Sequence, residues 1–243
     1  MRTPTHRGLD RNAARAGAMG LWSLVFAWLW LSGEMTRYLG PRTYWVAPFG
    51  AVALAGAAMV TAAGARRASD RIALAARDWV RFGALLLPLV AMVAVPGAQL
   101  GSQAAANKAP SGILAGVAAT APGAPASGPI GFRDIYYAGQ SESYALERAI
   151  SDGMGVRLTG FVTHPPGIPE GVFALTRFYV SCCAADAIPY SVTVNPPGPV
   201  VPSVYPDDRW LEIRGSLVQS DAGFTLTPHA ISPTKAPDDP YLY

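Results

Sequence analysis

The sequence predicts a membrane protein of mixed class: three transmembrane helices followed by a small C-terminal β-barrel of the oligomer-binding type. Three observations carry that expectation. Charged residues are 14% and apolar residues 51% of the 243 residues, with mean hydropathy +0.23, whereas an ordinary soluble domain is about 25% charged. Three long stretches contain no charge. Beyond residue 154 the pattern changes to short β-branched and aromatic runs separated by Gly, Pro, Asn and Asp, which is how strands and turns are written.

Charge is distributed unevenly along the chain. Residues 1–100 hold eleven Arg and four acids, a surplus of +7, while residues 101–243 hold eight basic and twelve acidic residues, a balance of −4. The two parts therefore suit different surroundings. Hydrophobicity this high excludes disorder throughout, and two Cys in all exclude a disulfide scaffold. The basic residues are concentrated around the membrane-like stretches and form no patch in the remainder, so nucleic acid is not an expected partner.

The uncharged stretches are 16–33, 43–65 and 82–107. About 20 apolar residues cross ~30 Å of hydrocarbon as a helix, and the expected spans are about 16–33, 44–65 and 82–100. Trp22, Trp28, Trp30, Tyr44 and Trp45 lie at or near their ends, where amphipathic rings favour the headgroup layer. Gly50, Ala53, Ala57 and Ala58 would let a second helix approach closely. Pro48, Pro88 and Pro96 are tolerable in lipid, where freed carbonyls find neighbouring helices or water. A signal peptide would explain one such run, not three.

Orientation is read from Arg. Arg2, Arg7, Arg11 and Arg15 precede the first span, and Arg66, Arg67, Arg71, Arg77 and Arg81 fill the connection between the second and third. The positive-inside tendency places both on the cytoplasmic side. With three crossings, the C-terminal domain is then expected outside the cytoplasm, on a multi-pass protein of the cell membrane surrounded by membrane lipid.

Residues 101–131 are nearly all Ala, Gly, Pro, Ser and Gln, a composition that behaves as a tether. Within them 113–121 is a candidate short surface helix. The outer domain is expected over 132–243. It begins with a helix near 141–150 capped by Ser141 and continues with strands at 156–162, 173–182, 190–194, 210–218 and 224–231. Alternation is clearest in Phe173, Leu175, Arg177, Tyr179 and in Leu211, Ile213, Gly215, Leu217. Five short strands with glycines at the bends suit a small closed barrel, with an unrelated β-sandwich as the alternative. The Pro-rich stretch 196–206 is not helical.

Chemistry is concentrated in Ser181, Cys182, Cys183, Ala184, Ala185 and Asp186. Two thiols and a carboxylate so close together are costly to leave exposed on an oxidising side of a membrane. Three readings stay open. Cys182 and Cys183 can be thiolate ligands, with Asp186, His164 or His229 completing a tetrahedron for a borderline-soft ion such as zinc. The pair can instead do redox chemistry, since a disulfide between neighbours closes a strained, reducible ring. Or one Cys faces the core and the other sits on a turn. Arg177 is placed to pair with Asp186. The chain has no Gly-rich phosphate loop, HExxH or GxSxG, and no enzyme activity is expected.

These residues also carry a resemblance. Ser32-Gly33-Glu34 to Tyr38, Pro41-Arg42, Leu100-Gly101-Ser102, and above all Leu175-Thr176-Arg177-Phe178 running on to Cys182-Cys183-Ala184-Ala185-Asp186-Ala187 resemble the YcgQ-like family of two-component permease subunits. The likeness covers most of the chain apart from the extreme N-terminus and the Ala/Pro-rich stretch. It implies an accessory membrane subunit working beside a separate multi-span permease in metal-ion handling and zinc supply. Members often carry His near the end of the first span and in a cytoplasmic loop. Here Trp30-Leu31 and a His-free stretch from 65 to 81 stand instead, so Cys182, Cys183 and Asp186 are the positions carried over. The expectation is an accessory subunit whose outer domain binds or presents a metal ion, with a thiol-redox module and a purely structural assembly subunit as rivals.

Overall fold

A computed structural model describes residues 10–67, 75–94, 100–108, 128–198, 204–220 and 223–243. The chain forms two compact units, Met1–Ala98 and Gln99–Tyr243.

The first unit contains α1 (Arg11–Ser32), α2 (Val46–Arg67) and α3 (Ala76–Ala94). α1 stops at Gly33, whose left-handed backbone (φ +76°) lets its N–H donate to the Trp30 carbonyl, a conformation available to glycine at little steric cost. α1 and α2 pack together. A Cβ on Gly50 would lie 3.4 Å from the Phe26 ring, and Ser23 Oγ donates to the Ala51 carbonyl at 2.7 Å. Gly50 is thus one small residue that the pairing uses, whereas Ala53 and Ala57 are exposed. α3 joins α1 through Arg11 Nε to Asp78 Oδ2 at 3.2 Å. Pro88 leaves the carbonyl ladder of α3 a donor short, and Trp22 Nε1 donates to the nearby Leu85 carbonyl at 3.3 Å.

Two segments, α1 and Pro41–Arg67, are long and apolar enough to cross a membrane. α3 carries Arg77, Asp78 and Arg81 in its first two turns, and residues 95–99 of the expected third span lie outside the described residues. The uncharged run 82–107 is not one element. Its last residues, from Ser102 on, belong to a separate helix, α4 (Ser102–Lys108), of the second unit.

The second unit is built on a closed five-stranded barrel, β1 (Gly155–Thr163), β2 (Phe173–Tyr179), β3 (Ile188–Val194), β4 (Trp210–Ser220) and β5 (Gly223–Pro233), in the spatial order β1-β2-β3-β5-β4. All neighbours are antiparallel except β3 and β5, which meet in parallel only at Thr193 with Thr225 and Val194 with Leu226. Strand β1 serves both sides of the barrel, pairing with β4 through Gly155–Phe161 and with β2 through Phe161–Thr163. That sharp coiling crowds Gly160, where a Cβ would stand 2.6 Å from the Thr176 carbonyl oxygen. The interior is filled by Leu158, Leu175, Tyr190, Val192, Leu211 and Leu217, among others. Each such side chain contributes roughly 1.5–3 kcal/mol by leaving water.

Before the barrel come α5 (Phe132–Gln140) and α6 (Glu142–Glu147). α5 buries Phe132, Ile135 and Ala138 in the barrel core, a spacing of three that places them on one face. Asp134 in its first turn accepts the Gly131 N–H at 2.9 Å and, almost fully buried, the Arg148 guanidinium at 3.0 Å. Ser141 caps α6 by accepting the Tyr144 N–H at 3.3 Å, as expected.

Two features depart from the expectations. The stretch read as a tether begins with α4, whose Ala105 is buried with Phe161, Phe178, Val180 and Tyr241 on the outside of the barrel. Small residues offer little on their own, but they let a helix lie close on an apolar wall. Residues 109–127, with the candidate helix at 113–121, lie outside the described residues. Second, β2 does not alternate. Every residue but Arg177 is buried, because α4 and the C-terminal tail cover the face that would otherwise meet water. Leu242 donates to the Phe178 carbonyl at 2.7 Å and accepts the Val180 N–H at 3.0 Å.

Candidate functional site

The loop between β2 and β3 is shaped by one carboxylate. Asp186 Oδ1 accepts the Ser181 N–H at 3.0 Å, and Oδ2 accepts those of Cys182 at 2.8 Å and Cys183 at 3.4 Å. A single 3-10 turn, Ala184–Asp186, closes the loop, with the Asp186 N–H donating to the Cys183 carbonyl at 3.0 Å. Both ends are anchored in apolar material, by Val180 before it and by fully buried Ala187 after it. Lys108 of α4 adds a clamp, its Nζ donating to the Ala185 carbonyl at 2.9 Å.

This architecture presents both thiols. Cys182 is exposed, Cys183 is half-buried, and neither is in a disulfide. Their sulfurs are 3.8 Å apart, and the two Sγ atoms and a carboxylate oxygen of Asp186 all lie within 4.8 Å of one another. Asp186 feels opposing influences. Burial pushes its pKa up, but the Cys182 thiol and the three main-chain N–H groups prevail and hold it below the ordinary carboxylate value. The same contact acts in reverse on Cys182. The Asp186 carboxylate accepts its S–H and, with a lesser effect from Cys183, pushes the thiol up to about 12.

The other expected residues lie elsewhere. His164, following β1, pairs its Nδ1 with Asp207 Oδ1 at 2.9 Å. His229 on β5 meets Ser216 Oγ through Nε2 at 3.3 Å on the exposed surface. Among the described residues neither histidine joins the Cys182, Cys183, Asp186 group. Arg177 does not pair with Asp186. It points to the C-terminal tail, which docks against β2, and donates to the carbonyls of Asp239 at 2.7 Å and Pro240 at 3.1 Å, while Asp186 takes the N–H groups of its own loop.

Two parts of this neighbourhood had no signal in the sequence. Lys108 reads as an isolated charge in a tether, and only the docking of α4 brings it to the Cys loop. The hydroxyl chain Thr163 to Thr176 to Ser191, with oxygens 2.8 and 2.7 Å apart, links three strands through residues that look like ordinary strand threonines and a serine. It borders a cleft of ≈ 390 Å³ between α4 and β3 that also takes in His164 and Asp207.

No curated protein and no solved structure matches the chain. A family model does match part of it: residues 130–243, which hold α5, α6 and the whole barrel with its Cys loop, carry a DUF1980 C-terminal domain.

Proposed function

We propose that this chain is an accessory membrane subunit whose barrel domain binds a metal ion such as zinc at Cys182 and Cys183 and presents it to a separate multi-span permease. The observation that carries the metal reading is the sulfur separation. Two thiolates on a tetrahedral zinc at ~2.3 Å stand about 3.8 Å apart, and the two sulfurs of the loop are 3.8 Å apart. Asp186 is already committed to three main-chain donors, so its principal task is to set the loop. When an ion displaces the thiol proton, the hydrogen bond from Cys182 to Asp186 is given up, and the carboxylate, still held by its main-chain donors, would add to the negative charge that favours a cation. Exposure of Cys182 and a ligand set short of four suit an ion that is passed on, since structural sites are closed by the protein's own ligands.

The redox reading is less well supported. A thiol exchanges as its thiolate, and Asp186 keeps Cys182 protonated. The strand order with one parallel contact between β3 and β5 favours the oligomer-binding type of barrel. The YcgQ-like resemblance supplies the permease partner, and the Arg distribution supports an extracytoplasmic barrel.

The experiment is metal analysis of the full chain purified in mild detergent under reducing conditions, beside Cys182→Ser and Cys183→Ser. Near-stoichiometric metal in the parent, lost in both variants, is expected, with cobalt substitution giving thiolate-to-metal absorption. A parent that holds no metal after incubation with zinc ends the reading.

A further inference from the structure

The loop that carries Cys182 and Cys183 is held from outside itself. β3 pairs with β2 along its whole length, but on the other edge of β2 the pairing with β1 ends at Thr176. The C-terminal tail takes over there. Leu242 donates its N–H to the Phe178 carbonyl at 2.7 Å and accepts the Val180 N–H at 3.0 Å, a single parallel bridge opposite Tyr179. The donors then run on without a break. Val180 gives its N–H to Leu242, and Ser181, Cys182 and Cys183 give theirs to Asp186. The carboxylate therefore meets N–H groups whose direction is set, one residue earlier, by the tail.

The tail is in turn fixed by β2. Arg177, the one residue of that strand that is not buried, directs Nη2 to the carbonyls of Asp239 at 2.7 Å and Tyr241 at 3.4 Å, and Nε to that of Pro240 at 3.1 Å. A guanidinium presents its donors in a rigid fork, so three successive carbonyls are gathered at one place. Tyr243 Oη donates to Asp239 Oδ1 at 2.7 Å and closes the tail on itself. Tyr241, 4% exposed, belongs to the buried cluster that also contains Val180 and Ala187, the residues on either side of the Cys loop.

We infer that the tail, held by Arg177, is a positioning element of the Cys182 and Cys183 site: docked, it fixes the end of β2 and with it the placement of both sulfurs for an incoming ion. The inference rests on the metal reading for the identity of the ion and adds what sets the site's affinity. Neither Arg177 nor a tail residue belongs to the Cys182, Cys183, Asp186 group, so the effect passes through the main chain. Consecutive cysteines on a free chain sample many sulfur separations, and an ion that must order them binds more weakly than one that finds them set. Groups that orient ligands without touching the metal contribute about 10–100-fold to its affinity.

The full chain in detergent micelles, kept reduced, is titrated with zinc against a chelator. Arg177→Met removes the donors to the tail, and Leu242→Pro removes the N–H that the Phe178 carbonyl receives. Both are expected to weaken zinc binding about tenfold or more, while Arg214→Met, which breaks an exposed pair with Glu212 on β4, changes it by less than about twofold. Hydrogen exchange without metal separates positioning from general loosening. In Arg177→Met the N–H groups of Val180, Ser181 and Cys182 are expected to exchange about tenfold faster than in the parent. The Leu217 N–H, bonded to the Met154 carbonyl at 2.8 Å, should keep its rate. Should Arg177→Met fail to fold, exchange in the parent decides, where the loop N–H groups are expected to open together with that of Leu242. Equal zinc affinity in the parent and both tail variants overturns the inference. So do loop N–H groups indifferent to Arg177→Met, a Leu217 N–H that quickens with them, or a parent loop that opens apart from Leu242. A parent that binds no zinc overturns the metal reading instead, and the exchange measurements still judge the tail.

Discussion

Asp186 Oδ2 lies 2.8 Å from the Cys182 main-chain nitrogen, and the same carboxylate is the partner of the Cys182 thiol. One residue thus both folds the loop and keeps its most exposed sulfur protonated. That is a protective arrangement, because the thiolate is the form that oxidising agents attack. A metal ion can still take the site by expelling the proton.

Replacing the carboxylate separates the two tasks. Asp186→Asn retains an oxygen for the main-chain donors but removes the negative charge. The Cys182 thiol should fall from about 12 toward the ordinary value of roughly 8.5, and iodoacetamide alkylation at pH 8 should quicken at least tenfold. Mass spectrometry of peptides quenched over time reads this directly, and equal rates in the two proteins would contradict the assigned cause.

Metal affinity should rise with pH. Zinc must displace a proton from a thiol that stays protonated through the neutral range, so the apparent association constant gains about tenfold per pH unit for each proton expelled. Competition against a chelator of known affinity at pH 6.5 and 7.5, corrected for the chelator's own protonation, should show at least that increase. A pH-independent constant would mean that the Cys182 sulfur is not a ligand.

The buried pair of Arg148 and Asp134, with side chains 7% and 5% exposed, secures α5 and α6. Arg148→Met would leave Asp134 with the Gly131 N–H and the Tyr144 hydroxyl as donors but with no countercharge. Losing one partner of such a pair costs about 3–5 kcal/mol. Chemical denaturation of the detergent-solubilised chain, followed by tyrosine fluorescence, should register a cost of that size.

Alkali should loosen the same region. Burial, then the hydrogen bond to Asp134, raises Tyr144 from 10 to about 12, and Tyr190 is raised as well, by burial first and then by Tyr137. A raised folded pKa means the native state favours the neutral phenol. Stability is full below pH ~10, where the unfolded chain begins to ionise, and drains away as pH climbs toward 12. Phenolate absorbance and circular dichroism should change together across that window, and Tyr144→Phe should shift the loss to higher pH.

Much of this molecule is written in its residue order. Gly, Pro and Asn at the turns and β-branched residues between them delimit all five strands, because period-two patterning and turn chemistry are local. Leu211, Ile213 and Leu217 face inward as their alternation requires. Cys182, Cys183 and Asp186 are close in space because they are close in sequence, and a carboxylate three or four residues along can reach back to main-chain N–H groups unaided. The length and apolarity of α1 and α2 are local as well.

Tertiary packing decided the rest. α4 forms where composition alone reads as a tether, because Ala105 finds Phe161 and Phe178 on the barrel wall, and β2 is buried on both faces for the same reason. His164 was a candidate ligand until the approach of residue 207 gave it Asp207. Arg177 chose tail carbonyls over Asp186 once the C-terminus docked on β2. The short parallel register of β3 with β5, at Thr193 with Thr225 and Val194 with Leu226, is one that no local pattern encodes. A residue's own preferences act over a few neighbours, whereas closing a barrel sets distant segments side by side, and which main-chain groups remain unpaired is known only after closure.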